Sequence, residues 1–229
     1  QAGEASRELN VEIMGGHTEI TDAVNKVVIS TTVIGKQLKK NILNSKSVKV
    51  GDKVLITKYA GIEGTSIIAK ELEEYLGNSM DKQKIKEAQN MGDFISVVKE
   101  GIICGKIGVK YMHDITEGGV LGAIWEGAMA TNKGIKIYKD LIPMKQVTKE
   151  IASILNIDPY RLISSGSMLI VSEEDKIKTI ETELKREGIQ ITIIGEIIEE
   201  GVFMEENGEI KEIEAPSSDE LYKALSKLD

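Results

Sequence analysis

His113-Asp114-Ile115-Thr116-Glu117-Gly118-Gly119 joins the end of an apolar strand to the start of a helix through two adjacent glycines. Upstream lie Val109, Tyr111 and Met112; downstream, Val120-Leu121-Gly122-Ala123-Ile124-Trp125-Glu126-Gly127-Ala128 reads as a largely buried helix. Strand, glycine turn and helix in succession predict an α/β fold, with a mixed sheet of the α+β kind. The turn falls at a helix N-terminus, where unpaired backbone N–H groups and the macrodipole favour an anion such as phosphate. The plainer reading is that Thr116 caps the helix and the glycines allow close packing on the sheet.

Outward from this turn, mixed α/β elements extend from Gly51 to the C-terminus. Lys53-Val54-Leu55-Ile56-Thr57-Lys58 reads as a strand. Tyr59-Ala60-Gly61-Ile62-Glu63-Gly64-Thr65 then opens a helix with Ile68, Leu72, Tyr75 and Leu76 on one face. A further helix is expected through Phe94, Val97, Val98 and Ile102. Arg161 to Val171 leads through Ser164-Ser165-Gly166-Ser167 into a buried strand, and Ser172 with Asp175 reads as a capping box for the next helix. Asn207-Gly208 signals a hairpin, and Ser217 with Glu220 the cap of a terminal helix.

Towards the N-terminus, Ala2, Ala5 and Leu9 have near-helical spacing, and the β-branched run Lys26 to Gly35 reads as a strand. The polar stretch Gly35 to Val50, with Lys36, Lys39, Lys40 and Asn41, marks a domain boundary. Residues 1–45 are too few for a domain of their own and read as the C-terminal remnant of an N-terminal domain; residues 46–229 form the second domain. With Gln1 in place of an initiator methionine, a piece of a longer chain is expected.

The 229 residues, 41% of them hydrophobic, suffice for a sizeable core, and the net charge of −8 argues against a nucleic-acid partner. No apolar run approaches the roughly 20 residues of a membrane span, and the single cysteine, Cys104, fits a reducing cytoplasm. Cys104 stands in an apolar context without a neighbouring histidine and reads as core.

Glycine-bearing segments recur at Gly15 to Glu19, Gly61 to Thr65 and His113 to Gly119. Glycine lets backbone approach phosphate oxygens, and Glu19, Glu63, Asp114 or Glu117 could offer carboxylate oxygen to magnesium, although an isolated carboxylate more often serves a solvated loop. The chain's two histidines, His17 and His113, both stand in such segments, where an imidazole can donate to phosphate or act as general acid or base.

Gly15-Gly16-His17-Thr18-Glu19, the Gly51-Asp52 lead-in to a strand, Tyr59 to Thr65, His113 to Gly119 and Ser164 to Ile170, in that order, resemble the aminoimidazole ribonucleotide (AIR) synthetase superfamily. The likeness covers nearly the whole chain and is greatest to the AIR synthase-related, HypE-like branch. It implies a two-domain protein, homodimeric through its N-terminal domain, that uses ATP and magnesium to activate an oxygen of a small-molecule substrate by phosphorylation. On that resemblance Gly15, Gly16, His17 and Thr18 bind the nucleotide and Glu19 the metal. His113 and Asp114 are then catalytic, and Thr116, Glu117, Gly118 and Gly119 hold phosphate from the C-terminal domain. Departures are the absence of the family's acidic, glycine-rich motifs nearer the N-terminus and of a Pro-Arg-x-Cys-like tail, the chain ending Leu225-Ser226-Lys227-Leu228-Asp229. The first implies an incomplete ATP site, and the fragment alone is expected to be inactive. The alternative is a non-catalytic, partner-binding protein of the same fold.

Overall fold

The computed structural model describes residues 2–39 and 42–228; Lys40 and Asn41 of the polar boundary stretch lie outside the described residues, as do Gln1 and Asp229. The chain divides into two compact units, Gln1–Gln37 and Leu38–Asp229.

In the first unit, helix α1 (Ala2–Glu8) buries none of its residues. The run Lys26 to Gly35, expected as a strand, is not one: Val27, Val28, Ile29 and Ile34 are exposed and none of these residues joins a ladder. A β-branched sequence favours extended backbone but becomes a strand only against a partner, and the described residues of this unit offer none.

The second unit begins with β1 (Lys53–Thr57), followed by helices α2 (Ile62–Glu71), α3 (Glu73–Leu76), α4 (Lys82–Asn90) and α5 (Val98–Ile107). Next come β2 (Tyr111–Asp114), α6 (Gly119–Thr131), β3 (Gly134–Tyr138), α7 (Gln146–Leu155), β4 (Met168–Ser172) and α8 (Glu174–Arg186). β5 (Ile191–Ile198), β6 (Val202–Glu206), β7 (Glu209–Glu212) and α9 (Glu220–Leu225) complete it. The strands form one mixed sheet in the order β2-β4-β1-β5-β3-β6-β7. All neighbours are antiparallel except β3 and β6. Asn207 and Gly208, both with positive φ, turn β6 into β7 as expected.

The central strands explain the layering. Val54 and Ile56 of β1, with Leu169 and Val171 of β4, enter a core shared with Val120, Leu121 and Ile124 of α6. The alternate residues Leu55, Met168 and Ile170 enter a second core with Cys104 of α5 and Ile177, Ile180 and Leu184 of α8. Both strands are thus buried on both faces, which is why they read as continuous apolar runs rather than as alternation. A third core joins α2, α4 and α7.

Three local expectations are corrected. Phe94 and Ile102 are exposed, Phe94 belonging to a separate 3-10 turn, while α5 buries Glu100 and Cys104 instead. The cause is an ion pair: Lys58 Nζ lies 2.7 Å from Glu100 Oε1 and donates to the carbonyls of Ser96 and Gly166 at 2.7 Å each. α8 has Glu173 at its N-cap with no side-chain cap, because Ser172 is the buried end of β4 and Glu173 pairs with Lys176 at 2.7 Å and Lys110 at 3.2 Å. α9 is capped by Asp219, whose side chain accepts from Leu221 N–H, and not by Ser217.

Burial, with the Glu100 charge adding to it, pushes the Cys104 thiol up to about 12. The native protein should therefore resist a thiol-reactive dye at pH near 8, labelling fully only in denaturant; rapid native labelling would contradict this core. The bond from Lys176 holds the Glu173 carboxyl below its ordinary range against the opposing effect of burial, with Lys110 assisting. Its stabilisation is therefore full above the unfolded carboxylate pKa of about 4.3 and lost as pH falls through the lower folded value. Glu173→Gln should destabilise by about 0.5–1 kcal/mol at neutral pH, with the gap from the parent closing in acid, as denaturant melts at several pH values would show.

Candidate functional site

Because β4 runs antiparallel to both β1 and β2, the C-terminal ends of β1 and β2 and the N-terminal end of β4 share one end of the sheet. The segments Tyr59 to Thr65, His113 to Gly119 and Ser164 to Ser167 are therefore brought together there. Ile115 N–H donates to the Ser167 carbonyl at 2.9 Å, and Gly64 N–H to the Ile163 carbonyl at 3.0 Å. Gly61 N–H donates to Ser164 Oγ at 2.8 Å, and the Ser167 hydroxyl to the Tyr59 carbonyl. At α6, Leu121 N–H donates to the Tyr160 carbonyl at 3.1 Å. The segment from Tyr160 to Ser167 thus stitches the other two turns to each other.

Gly118 and Gly119 both take positive φ, 79° and 60°. A Cβ on Gly119 would stand 2.6 Å from the Tyr160 carbonyl oxygen and 2.7 Å from that of Leu162, so the two backbones approach as only glycine allows. The N-cap of α6 is Gly118, with no side-chain cap from its own residue, which corrects the plainer reading of Thr116 as the cap. A distant side chain takes that place. Asp219 Oδ2 accepts from Gly118 N–H at 2.7 Å, and its Oδ1 from Ile163 N–H at 3.2 Å and Leu221 N–H at 2.8 Å. The anion that the sequence predicts at this helix start is, at Gly118, a carboxylate of the chain itself.

The side chains of the turn form a rim. Asp114 and Glu117 are exposed and Thr116 half-buried. Tyr222 of α9 donates its hydroxyl to Glu117 Oε1 at 3.3 Å, and the Glu117 charge raises the Tyr222 phenol above its usual value. His113 and Asp114, neighbours on a strand, point to opposite faces. The His113 ring stacks with Tyr111 at 6.5 Å between centroids, and its Nε2 lies 3.7 Å from Glu126 Oε2 of α6. Burial, then the charges of Glu126 and Asp114, push the Tyr111 phenol up to about 12, so it remains a proton donor at neutral pH. At the same end of the sheet Lys145 Nζ sits 4.4 Å from the centroid of the Tyr59 ring.

In the first unit Gly15, Gly16, His17, Thr18 and Glu19 are exposed, and His17 Nε2 is 2.9 Å from Glu19 Oε2. Asp219, Tyr222, Glu126 and Lys145 were not singled out in the sequence. The partners of Asp219, Tyr222 and Lys145 lie far off along the chain, Gly118 and Asp219 being 101 positions apart, and no local spacing signals such contacts; Glu126 meets His113 from the following helix.

A family model described as the AIR synthase related protein, C-terminal domain, matches residues 49–205. The chain belongs to this AIR synthase-related family. A putative hydrogenase expression/formation protein of Methanocaldococcus jannaschii is 28% identical over 179 residues, 78% of this chain and 51% of that protein. The carbamoyl dehydratase HypE of Escherichia coli is 24% identical over 200 residues, 86% of this chain and 57% of that protein. The AIR synthase-related chain thus spans about half the length of the curated relatives it matches. Among solved structures, hydrogenase maturation protein HypE in complex with ATP superposes with a TM-score of 0.68 at 16% identity, covering 97% of this chain and 68% of that one. A thiamine monophosphate kinase complexed with AMPPCP and TMP superposes at 0.53 and 19%, covering 77% and 53%. At these identities the likeness shows the mixed α/β fold, as the resemblance implied.

Gly119→Ala should cost about 2–4 kcal/mol, since strained backbone and a backbone clash add. Gly188→Ala, also at positive φ but with open space around it, should cost about 1–2 kcal/mol. Denaturant melts of both variants check the difference; equal losses would mean the Gly119 contact is not tight.

Proposed function

We propose that this chain is the C-terminal part of an ATP-dependent enzyme that activates an oxygen of a small-molecule substrate by phosphorylation, with residues 1–45 ending a nucleotide-binding domain and residues 46–229 forming a second domain that holds phosphate. The observation that carries the reading is the convergence of three separate sequence motifs at one end of the sheet, in a family whose relatives include a carbamoyl dehydratase and whose fold neighbours were solved with ATP and with AMPPCP.

The rim chemistry suits such a ligand. Thr116 offers a hydroxyl that donates or accepts, and Asp114 and Glu117 offer hard carboxylate oxygen, while Lys145 adds positive charge at the same end of the sheet. Among the described residues no three His, Cys, Asp or Glu side chains stand together as a metal cage. Magnesium is commonly held by one or two carboxylates together with nucleotide phosphates. Glu19 is the residue that would hold it, and Gly15, Gly16, His17 and Thr18 would meet the nucleotide. When bound, the ion neutralises phosphate charge. Asp114 would accept a proton from the substrate oxygen, while His113, on the opposite face of β2 and 3.7 Å from Glu126, would hold a proton there and not at the same atom. Gly118 and Gly119 keep the turn tight so that Thr116 and Glu117 reach the ligand. The same reading includes a homodimer through the N-terminal domain. A solved HypE-HypF complex supports a protein partner as well.

The test uses the full-length protein with ATP, magnesium and a panel of carboxylate, amide and phosphorylated substrates, read by phosphate release. Thr116→Ala and Glu117→Gln should each lower kcat/KM about tenfold or more, roughly 1.4 kcal/mol of transition-state stabilisation. Absence of both nucleotide binding and phosphate release in the parent would end the enzyme reading.

A further inference from the structure

Asp219 is 5% exposed, yet its carboxylate belongs to no ion pair among the described residues; its three bonds come from the backbone N–H groups of Gly118, Ile163 and Leu221. These donors belong to the turn before α6, to the stitching segment and to α9. A carboxylate so placed offsets its desolvation with charge-assisted bonds and at the same time satisfies N–H groups at the starts of two helices. The segment that delivers it makes further contacts with the same turn: Pro216 packs over Gly118 and Gly122, and Tyr222 reaches Glu117. Among the described residues Asp219 makes no hydrogen bond or ion pair with a rim side chain; it acts on the rim through the backbone, and through its charge on Tyr222, which bonds Glu117.

We infer that Asp219 is a positioning residue of the rim, its carboxylate fixing the Glu117-Gly118 peptide against the Leu162-Ile163 peptide and so making the C-terminal segment part of the site. This rests on the rim being the ligand-binding wall. Asp219→Asn nearly keeps the shape but replaces one accepting oxygen by an NH2 group that would face a backbone donor. Asp219→Glu keeps two accepting oxygens and displaces them by one methylene.

The experiment is residue-resolved amide hydrogen exchange on the chain, with Leu184→Ala, remote in the α8 layer, as a control for general destabilisation. Asp219→Asn should speed exchange at Gly118 and Ile163 about tenfold or more relative to amides of β1 and β4, with Asp219→Glu intermediate. In the full-length protein both variants should raise KM for ATP more than they lower kcat. Exchange that rises uniformly, as in Leu184→Ala, or stays unchanged at Gly118 and Ile163, overturns the assignment; so does a KM that follows stability alone. Should Asp219→Asn fail to fold, the Asp219→Glu pattern decides. Normal turnover in Thr116→Ala and Glu117→Gln would instead remove the functional reading and leave a local exchange result standing.

Discussion

The arrangement at the sheet end depends on one close approach, that of the Tyr160 to Ser167 backbone to the start of α6. Carbonyls of Tyr160 and Leu162 stand where a side chain on Gly119 would need to be, and this proximity lets Leu121 N–H and Ile115 N–H find acceptors on the same segment. From there the constraints propagate. With the segment held against α6, Ser164 can take Gly61 N–H, Ile163 can take Gly64 N–H, and the start of α2 is fixed relative to α6. Backbone groups that the turns leave unpaired are thus satisfied between turns rather than within them.

The sequence was most informative where periodicity and turn chemistry coincide. β4 was legible because five consecutive buried positions, Met168 to Ser172, follow a serine-glycine turn, and the β6–β7 hairpin because Asn207-Gly208 admits little else. The run at Val27 to Ile34 misled because extended propensity is not a ladder. The cap positions of α8 and α9 misled for a related reason: each has a plausible serine, but the oxygen that matters is decided by what is buried, and Ser172 had already been taken into β4. α4 went unread because only Ile85 and Ala88 of its nine residues are buried, too sparse a stripe to stand out from a polar loop.

At the candidate site the sequence located the backbone and missed the tertiary partners. The glycines at 118 and 119 pointed correctly to a helix start that attracts negative charge, but the carboxylate meeting Gly118 N–H comes from Asp219. On the proposed reading, ligand contacts at this turn then fall to its side chains, Asp114, Thr116 and Glu117, and not to the Gly118 N–H. Strand pleating separates His113 from Asp114, so one neighbours Glu126 and Tyr111 while the other faces solvent. A pair adjacent in sequence therefore serves two environments.

The distance along the chain between Gly118 and its cap has a temporal meaning. Helices α5 and α6 can form as each emerges, whereas β1 and β2 wait for β4, the neighbour they share, and the donor that starts α6 must wait 101 residues for its acceptor. Since synthesis adds about 5–20 residues per second, several seconds separate the two, during which that end of the sheet faces water with its first turn uncapped. The rim is then completed only once α9 has emerged, and an enzyme built on it would acquire its finished contour late in the synthesis of this unit.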